Sequence, residues 1–130
     1  MKRPRSIAEI AERAARGTQA FDPAVREFVD AWQAMSRSER AAAVEAEPVL
    51  LGGVKDAYLA AVAEHLAKQD DLAPPAWSDK PNRFLHEPFF AGGLESLRAI
   101  LIVESPAAFR RRLIFVTADA LSRPHRALAD

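Results

Sequence analysis

Val54-Lys-Asp-Ala-Tyr-Leu-Ala-Ala-Val-Ala-Glu-His-Leu-Ala-Lys-Gln69 is the stretch that settles the fold class. Val54, Ala57, Tyr58, Ala61, Val62 and Leu66 recur at three- and four-residue spacing with no proline or glycine between them, which is the period of a helix and not of a strand. The first half of this helix reads as buried. Upstream, Ser6 with Glu9 three residues on forms a capping box, followed by Ile7, Ile10, Ala11 and Ala14 on one face and a stop at Gly17. Asp22-Pro23 reads as a second cap with proline at the first helical position, ahead of the stripe Val25, Phe28, Val29, Trp32 and Met35. Ser36 and Glu39 repeat the capping box before Ala41 to Ala46, Pro48 ends that helix, and Gly52-Gly53 marks a break.

Downstream the texture changes. Asp70-Asp71, Pro74-Pro75, Ser78-Asp79-Lys80-Pro81-Asn82, Pro88 and Gly92-Gly93 are breakers at short intervals, so no long helix fits. Trp77, Phe84, Leu85, Phe89 and Phe90 fall in the same stretch, and a free linker is depleted in aromatics. The segment is therefore expected to be an ordered connection packed over helices, with one helical turn at Asn82 to Leu85. Helix returns from Ser96 to Glu104 with Leu97, Ile100, Leu101 and Val103 inside, and Ser105-Pro106 starts a sixth that runs through Phe109 toward Arg112. Leu113 to Val116 reads as a short strand without a partner or as extended coil, and Thr117 as the cap of a last turn, Ala118 to Ser122. The expected fold is all-α: a single compact domain over residues 1–130, five or six helices around one core, with a basic arm at 1–5 and a tail at 123–130 flexible. Phe28, Trp32, Tyr58, Val62, Leu97, Ile100 and Leu101 are the expected core.

Composition narrows the function classes. The 130 residues hold no cysteine, which removes disulfides, thiol catalysis and Cys-based zinc sites. Eighteen basic and 18 acidic residues cancel, so the overall field cannot hold a polyanion. The charges are nevertheless uneven. Residues 1–20 carry five basic and two acidic groups, residues 21–75 five and ten, and residues 76–130 eight and six, giving +3, −5 and +2. The acidic middle suits a basic protein partner. The start Met-Lys-Arg-Pro-Arg is followed by acids that interrupt any apolar signal region, and the longest apolar run, Ala57 to Ala63, is far below the roughly 20 residues that span a bilayer. The expected compartment is the cytoplasm.

No catalytic or metal-binding constellation is expected, and no cofactor. His65, His86 and His125 are scattered, without the i, i+4 pair that puts two imidazoles on one metal. His65 reads as a partly exposed surface residue, and His86-Glu87 as neighbours that point apart with no nucleophile beside them. The chain is not expected to be an enzyme. Arg110-Arg111-Arg112 is the densest charge feature: three guanidinium groups either grip phosphate or carboxylate, with Arg123 and Arg126 extending the patch, or complement a helix dipole. Ile7 to Ala14 resembles the opening of a helix-turn-helix, but the connection to the next cap is too long and Phe28, Val29 and Trp32 stand where base-reading side chains belong. The candidate binding residues are Arg110, Arg111, Arg112, Trp77, Phe89 and Phe90.

Asp56 to Leu66, Pro75-Ala-Trp77, Arg83-Phe-Leu85, Pro88-Phe-Phe90, Leu97 to Arg112 and Thr117 to Ser122, taken in that order, resemble a group of small bacterial proteins often encoded beside nucleotidyltransferase-like toxin genes and taken to be their antitoxins. The resemblance covers residues 54–122, is sharpest at Glu104-Ser-Pro-Ala-Ala-Phe-Arg-Arg-Arg112, and brings no catalytic or ligand residues with it. It implies a protein–protein interaction module that neutralises a toxin of that type by covering its active site. The alternative expectation is a nucleic-acid-binding regulator that uses the arginine run and the N-terminal arm.

Overall fold

The computed structural model describes residues 2–91, 98–118, 120 and 121. Among them are six helices in the order expected: α1 (Ile7–Arg16), α2 (Phe21–Gln33), α3 (Arg37–Glu45), α4 (Val54–Gln69), α5 (Arg98–Glu104) and α6 (Ala107–Arg110). Helix α4 is the axis of the molecule. Ala57, Leu59 to Ala63, Leu66 and Ala67 are all buried, in both halves of the helix, because α3, α6 and two 3₁₀ turns at Ala76–Asp79 and Pro81–Arg83 pack around it. A helix apolar on nearly every side is one enclosed by its neighbours. Five alanines along it keep those neighbours close. Helices α1 and α2 pair with each other and close the core from one side through Ile7, Ile10, Phe28 and Trp32.

The caps follow the sequence with small shifts. Ser36 and Glu39 form the full capping box of α3. At α1 the Ser6 hydroxyl accepts from the Glu9 amide at 3.0 Å, but the Glu9 carboxylate accepts from Arg5 N–H at 2.8 Å, one residue earlier than a capping box requires. Asp22 is no cap: α2 starts at Phe21 with Ala20 preceding it and no side-chain hydrogen bond, so Asp22 lies in the first turn, where its charge favours the helix dipole. Ser105 does not cap α6 either. Its hydroxyl, with one hydrogen to give, lies within donating reach of the Leu101 and Val116 carbonyls and accepts from Val116 N–H, tying α5 to the chain beyond α6. Helix α6 accordingly stops at Arg110, short of Arg112.

The aromatic connection is ordered, as expected, through contacts the sequence does not reveal. Its helical content is the two 3₁₀ turns, the second of which, Pro81–Arg83, overlaps the turn expected at Asn82 to Leu85 and starts one residue earlier. Phe89–Phe90 forms β1, pairing in parallel with Ile114–Phe115 (β2) in the register Phe89 to Ile114 and Phe90 to Phe115. The strand expected near residues 113–116 therefore has a partner, and Phe90 stacks on Phe115 with ring centroids 4.9 Å apart. Of the expected core, Phe28, Trp32, Val62 and Leu101 are buried and Tyr58 is partly so, but Ile100 and Val103, both expected inside, are 49% and 76% exposed because α5 turns only Leu101 inward. Leu97, the Gly92-Gly93 turn, the first residues of the fifth expected helix and the tail from Ser122 lie outside the described residues. The N-terminal arm lies against the helices: Pro4 is buried, and Arg3 and Arg5 reach Asp30 and Glu39 at 3.8 and 3.7 Å.

Helix α4 ends with Asp71 in the left-handed region (φ 56°), where the amides of Asp71 and Leu72 close on the carbonyls of Lys68 and Ala67. Glycine takes that conformation without the Cβ penalty. Asp71→Gly should raise stability by roughly 0.5–1 kcal/mol, measured by urea unfolding, since Arg37 contacts the Asp71 backbone carbonyl and loses nothing.

Candidate functional site

The polar centre of the molecule is Glu64. Positions 57, 60, 61, 64 and 67 of α4 share one inward stripe, and at 64 that stripe carries a carboxylate, 2% exposed at the side chain. Arg112 Nη1 reaches its Oε1 at 2.6 Å, Arg111 Nη1 reaches the same oxygen at 2.7 Å, and Lys68 Nζ reaches Oε2 at 2.8 Å from one turn along the helix. Arg112 is fully buried and also donates to the carbonyls of Ala108 and Ser78 at 2.7 and 2.8 Å. Both guanidinium groups lie over the Phe84 ring, at 4.7 Å for Arg112 and 5.1 Å for Arg111. Burial alone would push the Glu64 carboxyl up; the hydrogen bonds from Lys68, Arg112 and Arg111 outweigh it and hold its pKa at about 2. The two arginines respond in opposite directions. Burial lowers Arg112 in spite of Glu64, whereas for half-exposed Arg111 the bond to Glu64 dominates and raises it.

Leu113 takes a left-handed conformation (φ 64°) between Arg112 and Ile114, which are both buried, one at Glu64 and one in the core. Beside Glu64, His65 sets its ring edge-on to Phe109 at 6.1 Å, and burial depresses its pKa. It is half-buried, as the sequence suggests.

A second buried arginine fixes the connection from the other end. Arg83, with no exposed surface, donates to the Pro48 carbonyl at 2.6 Å, approaches Glu47 at 3.3 Å and lies 5.0 Å over the Trp77 ring. The Asp56 carboxylate accepts from the amides of Leu51 and Gly52 at 2.6 and 2.9 Å, which closes the loop that leads into α4. Val49 and Leu50 stand 55% exposed at the tip of this braced loop. The Nε atoms of Arg83 and Arg112 are the buried side-chain polar atoms without a partner among the described residues.

The six candidate binding residues therefore scatter. Arg112 is spent on Glu64 and is corrected to an interior residue: its guanidinium has no surface to offer a partner. Arg111 divides itself between Glu64 and Asp79 with its side chain 45% exposed, and Arg110 faces outward, with Nη1 3.5 Å from the Val103 carbonyl. Trp77 is buried and donates its indole N–H to the Val44 carbonyl at 2.8 Å. Phe90 is stacked; Phe89 is 38% exposed. Sequence reasoning missed Glu64 and Arg83. The signal for Glu64 was its place on the alanine stripe of α4, and nothing local marks Arg83.

Two surfaces remain outward. An open groove of about 590 Å³ lies between α3 and the connection, lined by Ala41, Val44, Ala73, Pro75, Ala76 and Trp77 with Glu45, Glu47 and Lys80 around it. The second is the outer side of α5, where Ile100, Ile102 and Val103 are 49%, 45% and 76% exposed. No cluster of three or more metal-ligating side chains occurs among the described residues, and no helix among them is long and apolar enough to cross a membrane. No protein-family model, curated protein or solved structure matches the chain.

Removing Glu64 leaves Arg112 buried without its anion, a loss of about 3–5 kcal/mol. Glu64→Gln should fall in that range by urea unfolding, whereas the double variant Glu64→Leu, Arg112→Met should recover much of it. The pH profile follows from the sign of the shift. Because the folded pKa lies below the ordinary carboxylate value of about 4.3, the unfolded chain takes up the proton first. The stabilisation is complete above that value and fades as pH falls toward 2. Glu64→Gln should flatten this part of the stability profile.

Proposed function

We propose that the chain is a cytoplasmic protein-binding module whose partner docks in the groove between α3 and the Ala73–Trp77 segment. The observation that carries this reading is the groove's make-up. Its walls are small apolar side chains and one fixed indole, while Glu45 and Glu47 lie on its edge within the acidic third of the chain. Such a surface favours a partner segment that places a small apolar residue against the alanines and sets Lys or Arg beside the carboxylates. Glu47 stays ionised there, since the hydrogen bond from Lys80 lowers its pKa. Trp77 cannot swing out to meet a partner without giving up its bond to Val44, so the groove is pre-organised and loses little freedom on binding.

The resemblance to antitoxin-like proteins makes a nucleotidyltransferase-type toxin the first partner to test. The arginine run gives little support to nucleic-acid binding, because Arg112 is enclosed and Arg111 is paired within the fold.

Both Ala41 and Glu45 are exposed on α3, so they can be changed without touching the core. Ala41→Trp should fill the groove, and Glu45→Lys should invert its unpaired charge; each should release a co-purified partner while circular dichroism and melting stay as in the parent. Undiminished co-purification by a folded Ala41→Trp, Glu45→Lys double variant would remove the groove from consideration.

A further inference from the structure

We propose that Val49 and Leu50 form a rigid apolar knuckle, bound by the same partner segment that fills the groove, basic where it passes Glu45 and apolar where it covers the knuckle. The inference rests on the groove reading above and extends it to a second contact. From Pro48 to Gly53 the chain is neither helix nor strand, yet its backbone is held at three points. The Pro48 carbonyl accepts from Arg83 Nη2 at 2.6 Å, and the amides of Leu51 and Gly52 donate to the Asp56 carboxylate at 2.6 and 2.9 Å. These anchors bracket residues 49 and 50. Arg83 and Asp56 are themselves buried and lie 3.9 Å apart, so the two clamps act as one. Leu51 packs against the core, whereas Val49 and Leu50 are held in water, where an apolar side chain adds nothing to the fold. The chain on either side of them, from residue 2 to residue 91, is described, and none of it covers them. A loop fixed this firmly, with two adjacent aliphatics at its tip, is built for contact and loses little freedom when it makes one.

The same buried guanidinium joins the knuckle to the groove. Besides Pro48, Arg83 meets Glu47 on the groove's edge at 3.3 Å and lies 5.0 Å over the ring of Trp77, which lines it. Val49 follows Glu47 by two residues, at most about 7 Å of chain. Groove and knuckle therefore stand in fixed register, and one segment can meet both without either having to move. Charge selects the partner. Glu47 is shared by Lys80 and Arg83, and Asp56 is spent on the loop, so Glu45 is the neighbouring carboxylate that has no ion pair among the described residues. An anionic membrane is repelled by carboxylates beside the apolar tip, whereas a protein segment that sets Lys or Arg against Glu45 and aliphatic or aromatic side chains over Val49 and Leu50 satisfies both.

Random peptides of about a dozen residues, displayed on phage and panned against the full chain, supply the probe. Enriched peptides should combine Lys or Arg with clustered apolar residues, and the most enriched, synthesised with a fluorophore, should bind by anisotropy. Val49→Ser, Leu50→Ser removes the apolar surface without changing the charge and should weaken that peptide about tenfold or more, with circular dichroism as in the parent. Val49→Ile, Leu50→Met keeps the surface and should bind like the parent. Ala41→Trp should abolish binding through the groove. A peptide lost on Ala41→Trp but indifferent to the serine pair overturns the knuckle and leaves the groove standing. One indifferent to Ala41→Trp overturns the groove reading and the shared segment with it, and the absence of any enriched binder overturns the proposal. Flotation with vesicles of phosphatidylcholine and phosphatidylglycerol tests the lipid alternative: the parent should stay unbound, and vesicle binding that the serine pair abolishes overturns the proposal as well.

Discussion

Glu64 is the constraint around which the second half of the chain is arranged. A carboxylate inside an alanine-lined helix is costly unless several donors meet it, and two arginines and a lysine do so. Those donors come from different parts of the chain. Lys68 is local, but Arg111 and Arg112 lie 47 and 48 residues on, and reaching Glu64 commits α6 to the flank of α4. Arg112 then grips Ser78, so the same ion pair anchors the first 3₁₀ turn. Phe84 beneath both guanidinium groups is held by the faces of cations, which suits an aromatic in a segment too rich in proline to form a helix.

Arg83 solves the same problem at the other end of the connection. Its donors go to the carbonyls of Pro48 and Asp56 and to Glu47, groups that belong to the loop before α4 and the first turn of α4. That loop has two glycines at positive φ and cannot pair its own backbone as a helix or strand would. The guanidinium and the Asp56 carboxylate supply the missing partners from opposite sides. Arginine is apt for this because its planar fork serves several acceptors at once and its weak hydration lowers the penalty of burial. Both buried forks still leave Nε without an acceptor, so the interior is polar to the limit of what the local carbonyls can satisfy.

Fold class and helix order were legible in the sequence because they rest on local signals: the bounds of α4, the α3 capping box and the Gly17 stop all depend on residues within one or two turns. Elements that depend on distant residues were not. β1 and β2 are two residues each, too short for a period to register, and each is a strand only because the other lies beside it. Ser105 carries a cap signature yet answers to Val116, eleven residues away. Arg110, Arg111 and Arg112 look equivalent in sequence. What separates them is their place around the α6 turn: Arg112 falls one turn beyond buried Ala108 and Arg110 on the opposite side.

This division of labour shapes what the surface can do. A triplet of arginines on a small domain is ordinarily the first place to look for an acidic or phosphate-bearing partner. Here two of the three neutralise a buried anion. Recruiting them outward would leave Glu64 charged and enclosed with Lys68 alone, a state disfavoured by several kcal/mol by the usual cost of breaking a buried pair. Arg83, Arg111 and Arg112 are therefore committed to holding the fold. Two surfaces among the described residues do not draw them outward: the small-residue groove beside Trp77 and the aliphatic face of α5. Neither surface includes a member of the Glu64 network, and at exposed groove positions such as Ala41 and Glu45 a substitution reports on binding without first loosening the core.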